Sequence, residues 1–211
     1  MRTQQMGWRS IILSILISGM LGACVDRHSA TAARQLSSPK QRAEWRRLLV
    51  WDDACEQAYQ NTKLTNDPGV ETYILAKADE LVMVFCAVGG YQPSFVLYHL
   101  KEQHPELLSL ETYSAGDGVS LQRNQSTELW GEVYFRAESR VLTIVNAARQ
   151  TKDCGTWADY AFSADTASLQ ALYNKFPCPA SISPPVSPDA VKPPEDWQRF
   201  NLNAVDKGIG E

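Results

Sequence analysis

The five cysteines offer the most distinctive chemistry in this 211-residue chain. A thiol can form a disulfide, bind zinc or act as a nucleophile. Zinc is disfavoured, because no two cysteines have the spacing of a CxxC knuckle and the three histidines are not spaced to complete a site. A nucleophile would need a free thiol with a lowered pKa. Oxidised pairs are therefore the leading interpretation for most of the cysteines, which are Cys24, Cys55, Cys86, Cys154 and Cys178.

The segment before Cys24 has the pattern of a secretory signal. Arg2 and Arg9 supply positive charge, and an apolar run follows from Ile11 to Leu21. The run is shorter than the ~20 residues that a helix needs to cross a membrane. A charged start, a short apolar core and small residues at its end are typical of a signal peptide, here residues 1–23. An uncut anchor helix is the alternative.

The end of that segment, Leu21-Gly22-Ala23-Cys24, resembles the lipobox of bacterial lipoproteins. The resemblance implies cleavage before Cys24, acylation of its sulfur with chains such as palmitate, and attachment to a membrane through the lipid anchor. Two or three chains hold far more firmly than one. Val25 stands where an Asp would retain a lipoprotein in the inner membrane. In a cell with two membranes we therefore expect a cell-envelope location on the outer one, facing the periplasm.

The net charge of the cleaved chain bears on the partners that it could bind. Cutting before Cys24 removes two of the 20 basic residues and none of the 24 acidic ones, which takes the net charge from −4 to −6. A modestly acidic chain is a poor candidate for binding nucleic acid.

Composition indicates three segments after Cys24. Residues 24–40 are small and polar, which is typical of a tether, while 179–211 form a proline-rich C-terminal tail that we expect to dock through Trp197 and Phe200. Residues 41–178 suit one disulfide-bonded, β-rich domain.

The cysteine count fits this organisation. If Cys24 carries lipid, four cysteines remain, and four can pair in three ways. We favour the pairs Cys55–Cys86 and Cys154–Cys178, because each pair lies within one half of the chain. The sequence leaves the other two pairings open.

Hydrophobic periodicity predicts a mainly β fold with a short N-terminal helical segment. Apolar residues at helical spacing indicate a helix from Gln41 to about Gln60, which Asp52-Asp53 can divide into two. After Val70 the pattern changes to alternation, which is clearest from Leu129 to Arg136. About eight short strands separated by turn signals predict an antiparallel sandwich or barrel. The predicted strands are Val70 to Ala76, Leu81 to Ala87, Ser94 to Leu100, Leu107 to Tyr113, Leu129 to Arg136, Arg140 to Ala147, Thr156 to Phe162 and Leu169 to Phe176.

Two stretches carry a second resemblance. Val84 to Gln92 runs strand, cysteine, glycine turn and tyrosine, and Ala147 to Gly155 contains Ala-Arg followed by Asp-Cys-Gly. Both resemble a family of exported bacterial proteins known as domain of unknown function 1176. Gln150 and Lys152 stand where that family has glycines. The resemblance spans roughly Trp45 to Cys178 and implies an envelope location and two disulfides, without any activity.

Two loops are the candidate binding loops. They contain Gly89, Gly90 and Tyr91 in one case, and Asp153 and Gly155 beside Cys154 in the other. Aromatic side chains near them could form a platform for sugars or peptides, although such residues more often fill a β-sandwich core. The candidate platform residues are Tyr91, Tyr98, Trp130, Tyr134, Trp157 and Tyr160.

Catalytic patterns are weak in this sequence. It has no GxSxG or HExxH arrangement. A general base built on His99 or His104 would need a positioned partner, and we predict no catalytic residue, no metal site and no cofactor. The leading hypothesis is a non-enzymatic lipoprotein whose domain binds an unknown envelope protein or glycan. The alternatives are an inhibitor of a lysozyme-type wall-degrading enzyme, acting through the two loops, and, less favoured, a hydrolase.

Overall fold

The structure, a computed structural model, describes residues 35–36, 39–63, 68–115, 121–163, 166–190 and 192–202. Cys24, the predicted signal peptide and most of the predicted tether lie outside these ranges. Within them, no helix combines the length and the apolar character that crossing a membrane requires.

Two helices open the folded part of the chain. They are α1 (Pro39–Leu49) and α2 (Asp53–Thr62). The predicted division at Asp52-Asp53 is confirmed, because the Asp52 side chain accepts a hydrogen bond of 2.6 Å from the backbone N–H of Cys55 and so caps α2. An aspartate at this position satisfies one of the unpaired N–H groups of the first helical turn.

The first sheet is antiparallel and follows the helices. Its strands, in spatial order, are β1 (Gln35–Leu36), β2 (Val70–Ala76), β3 (Asp79–Ala87), β4 (Ser94–Lys101) and β5 (His104–Leu107). A later strand, β8 (Glu128–Trp130), pairs with the first residues of β4, whereas β5 pairs with its last ones. The chain leaves this shared edge after β5 to form a hairpin of β6 (Leu110–Ala115) and β7 (Leu121–Ser126), and then returns as β8.

The second sheet is an antiparallel meander. Its strands are β9 (Glu132–Arg136), β10 (Val141–Ala147), β11 (Gly155–Phe162), β12 (Ala167–Lys175) and β13 (Gln198–Arg199), and each pairs with the next. Only Gly131 separates β8 in the first sheet from β9 in the second. The predicted strand from Leu129 to Arg136 is therefore two strands that belong to different sheets.

The two sheets pack face to face around the main core. Alternate residues of β3 and β4 meet alternate residues of β10 and β11, and the β6–β7 hairpin adds Leu110 and Tyr113 to the same cluster. The antiparallel sandwich is confirmed, and the sheets do not close into a barrel. The described strands number thirteen rather than about eight. Two predicted strands are divided, two strands are only two residues long, and β7 was not predicted because its sequence is polar.

Both outer faces of the sandwich are also covered. On the first sheet the helices bury Leu49, Trp51 and Cys55 against Val82 and Val84. The chain after Cys178 covers the second sheet, and this segment buries two of its own side chains, Val186 and Trp197, against Val145 and Trp157. The central strands are consequently buried on both sides, whereas alternation predicts burial on one side.

Arg42 fastens the helices to the first sheet. Its buried guanidinium donates to the Glu56 carboxylate and to the backbone oxygens of Pro68, Gly69 and Phe85 at 2.9 to 3.2 Å. It also lies 3.7 Å from the ring centroid of Tyr59. Burial raises the pKa of Glu56, but hydrogen bonds from Gln60, Arg42 and Trp51 outweigh this effect and leave the pKa below its ordinary value. The result is a buried charge with its donors satisfied.

The packing of Trp197 predicts that the C-terminal segment stabilises the domain. Trp197 is 5% exposed, so Trp197→Ala removes a large buried side chain and should lower the free energy of unfolding by about 3–5 kcal/mol. Urea unfolding followed by circular dichroism measures the change. Ile182→Ala is the control, because Ile182 is 69% exposed in the same segment and should change stability by less than about 0.5 kcal/mol. If Trp197→Ala lowered the free energy of unfolding no more than Ile182→Ala does, the burial of Trp197 would not stabilise the domain.

Candidate functional site

The structure has both favoured disulfides, and they stand beside the two candidate loops. Cys55–Cys86 joins α2 to the end of β3, just before Gly89 and Gly90. Cys154–Cys178 joins the residue before β11 to the chain that leaves β12. One end of each loop is therefore fixed covalently to a neighbouring element.

Gln92 connects the first loop to the second sheet. Its side-chain amide donates to Asn146 Oδ1 at 3.1 Å, and its Oε1 accepts from the backbone N–H of Ala147 at 2.8 Å. These two bonds bring the loop of residues 88–93 against the end of β10. The two candidate loops, 54 or more residues apart in sequence, thus lie at the same end of the sandwich.

Asp153 organises the second loop from the inside. Its carboxylate is fully buried and accepts hydrogen bonds from Arg149, Thr151 and the backbone N–H of Ser183 at 2.5 to 2.9 Å. Arg149 also donates to the Pro179 carbonyl at 2.9 Å. The hydrogen bonds from Arg149 and then from Thr151 hold the pKa of Asp153 far below its ordinary value of 3.8. Asp153 therefore positions the loop and does not present its charge to a ligand.

A cleft of about 490 Å³, which we call the loop cleft, opens where the loops converge. The second loop contributes Lys152, whose amine pairs with Glu132. Tyr91 and Val88 line the cleft and are among the exposed large hydrophobic residues. The full lining is Tyr59, Lys63, Gly69, Glu71, Phe85, residues 88–93 and Lys152.

A second cavity of about 310 Å³, the hairpin groove, lies between the β6–β7 hairpin and the inner face of the second sheet. Asn146 lines this groove, while its partner Gln92 lines the loop cleft, so the Gln92–Asn146 hydrogen bond lies between the two cavities. Trp130 forms part of the groove wall and is 46% exposed. The full lining is Thr112, Tyr113, Ser114, Asn124, Gln125, Ser126, Glu128, Leu129, Trp130, Ile144, Asn146, Thr156, Ala158, Tyr160 and Leu172.

Two of the six aromatic residues of the candidate platform are exposed. Trp157, Tyr98 and Tyr160 are buried, while Trp130 and Tyr91 are exposed at the two cavities. Tyr134 is half-buried in β9. The sequence did not single out Gln92 or Asn146, and it contains no local signal for them, because their role depends on a contact between distant segments.

The two described histidines, His99 and His104, lie apart from both cavities. His99 is buried and pairs with Asp79, which lies on the neighbouring strand β3. His104 is exposed, and its Nδ1 lies 3.0 Å from the Glu102 carbonyl. Among the described residues no hydrogen bond joins either histidine to a serine, threonine or cysteine. The same ranges contain no group of three or more His, Cys, Asp or Glu residues that could hold a metal ion.

Comparison of the chain with protein-family models, curated proteins and solved structures gives no match.

The burial of Asp153 predicts a pH dependence of stability. Because its folded-state pKa is depressed, its contribution is complete above the ordinary carboxyl pKa of 3.8 and is lost as the pH falls toward the depressed value. Asp153→Asn should therefore flatten the decline in unfolding free energy between about pH 5 and pH 2. Urea unfolding at several pH values measures the slope.

The matched control for this prediction is Asp189→Asn. Asp189 is exposed and accepts a hydrogen bond from Ser187 in the same C-terminal segment. We expect this variant to keep the wild-type slope. A wild-type slope in Asp153→Asn as well would mean that other carboxylates control the acid response.

Proposed function

We propose that this protein is a lipid-anchored lipoprotein of the bacterial cell envelope, whose domain binds a protein or glycan partner and does not catalyse a reaction. The observation that carries the proposal is the convergence of the two predicted loops on the loop cleft. Disulfides next to both loops and the Gln92 hydrogen bonds hold this cleft open in the free protein. A preformed cleft reduces the entropy that binding must overcome.

The ionisable groups around the loop cleft support binding rather than catalysis. Lys152 is paired with Glu132, Glu71 accepts a hydrogen bond from the Tyr73 hydroxyl at 2.8 Å, and Asp153 is buried within its loop. A general acid or base must instead lie within reach of a substrate proton. The groups that remain for contact are the exposed side chains of Tyr91, Val88 and Lys63 and the backbone of Gly89 and Gly90.

The anchor would hold the domain close to its membrane. Eleven peptide units separate Cys24 from β1, which begins at Gln35. A fully extended chain of that length spans at most about 40 Å. The tether would thus keep the start of the folded domain within about 40 Å of the membrane surface, which suits a partner that is another envelope component.

Lipidation predicts the fate of Cys24→Ser. Wild-type protein should incorporate an alkyne-bearing palmitate analogue and sediment with membranes, because two or three acyl chains make attachment nearly permanent. Cys24→Ser should lose both the label and the sedimentation. Ser29→Ala, five residues away in the tether, should keep both. An unlabelled wild-type protein with an intact Met1 would remove the lipid anchor from the proposal.

The loop cleft predicts where a partner can be crosslinked in cells. A photoreactive phenylalanine analogue in place of Tyr91, which is 37% exposed, should give a discrete adduct of higher mass on a denaturing gel. The same analogue at Ile182, which is 69% exposed and outside both cavities, is the control and should give none. An adduct with a wall-degrading enzyme would favour the inhibitor. Identical patterns at the two positions would contradict a specific site at the cleft.

A further inference from the structure

Resting on the proposed binding function, we infer that the hairpin groove is a binding site for an uncharged oligosaccharide, with Trp130 as its stacking surface. The groove is separate from the loop cleft, and its lining combines an exposed aromatic ring with amide and hydroxyl groups. Sugars present both kinds of surface, because their C–H faces are apolar and their hydroxyl groups donate and accept hydrogen bonds.

The amides of the groove retain hydrogen-bonding capacity. Asn146 Oδ1 accepts from Gln92, which leaves the Asn146 Nδ2 group to donate elsewhere. Asn124 Nδ2 donates to Ser114 and to the Gln122 carbonyl, which leaves Asn124 Oδ1 to accept. Gln125 Oε1 accepts only a long bond of 3.4 Å from Ser109. Each amide offers both a donor and an acceptor, so the groove can bind hydroxyl groups in either role.

Trp130 supplies the apolar half of the site. Its ring is 46% exposed although it lines a cavity, and Gly89 lies beside it, where an added Cβ would be 4.0 Å from Trp130 Cζ3. An exposed indole of this kind combines a large apolar area with a polar N–H. The floor below it is apolar and includes Leu129, Ile144 and Leu172.

The charge of the lining disfavours anionic ligands. Among the residues that the structure describes, no lysine or arginine lines the groove, so a phosphate, an acidic sugar or a nucleic acid would find no cation in this lining. Burial, the Glu111 charge and Tyr113 together raise the pKa of Tyr160, so its hydroxyl is uncharged. Glu128 is the one carboxylate in the lining as far as the described part of the chain goes. Glycoside hydrolysis ordinarily uses two carboxylates that flank the scissile bond, so this lining suits binding without cleavage.

The test uses the full lipoprotein in a detergent without sugar headgroups, because a glycoside detergent would compete for the groove. Two neutral probes are titrated by calorimetry: the β-linked trimer of N-acetylglucosamine, and maltotriose. A trisaccharide of galacturonic acid is the anionic control. We expect one neutral probe to bind and the anionic probe to bind at least about tenfold more weakly.

Four variants locate the site. Trp130→Ala should weaken binding of the neutral probe by about tenfold or more, while Trp130→Phe should stay within about threefold because it retains an aromatic face. Gln125→Leu, an exposed position, should weaken binding by about fivefold without altering the fold. Ile182→Ala, at an exposed position outside both cavities, should bind as the wild type does.

Absence of binding by both neutral probes would overturn the inference, as would wild-type affinity in Trp130→Ala and Gln125→Leu. The proposed function is tested separately, because the crosslink at position 91 does not involve the groove. An adduct at that position, together with no sugar binding, would leave the binding module intact and remove only its saccharide site.

Discussion

The crossing of the chain from one sheet to the other at Gly131, between β8 and β9, sets the geometry of both cavities. Gly131 has φ of +137°, in a region that side chains rarely adopt, and an added Cβ would overlap the Val145 carbonyl. Its N–H also bonds to the Pro93 carbonyl at 3.0 Å, which ties the first loop to the crossing point. The neighbours of Gly131 are consequently fixed as well: Trp130 becomes a wall of the hairpin groove, and Glu132 holds Lys152 at the loop cleft.

The charged residues of this domain serve mainly to fasten its outer layers. Arg42 binds carbonyl oxygens of the first sheet from the helical side, and Asp153 binds donors from the second loop and the C-terminal segment. Both groups are buried, and both are surrounded by partners that offset the loss of hydration.

Local patterns predicted the parts of the fold that local chemistry determines. The possible division of the helix followed from the interruption of the apolar pattern at Asp52-Asp53, and the antiparallel class followed from alternation with turn signals. What the sequence could not show depends on distant segments. The alternating pattern continues across Gly131, so the two strands on either side of it were predicted as one. After Leu121, β7 is polar and gives no strand signal. The burial of β10 on both faces depends on the chain near Trp197, which lies far away in the sequence. The groove likewise arises only when the β6–β7 hairpin packs beside the second sheet, which no local pattern shows.

The late position of Val186 and Trp197 in the sequence has a consequence for how the protein is made. A ribosome releases the chain from its amino terminus, so the strands of the second sheet emerge before the segment that covers them. During that interval the apolar side chains of Val145 and Trp157 lack their cover. Chains truncated before Val186 would keep this apolar surface exposed. Such chains would be prone to aggregate and would be bound by chaperones or degraded by proteases. Burial of the outer face of the second sheet thus depends on synthesis of the segment that contains Val186 and Trp197.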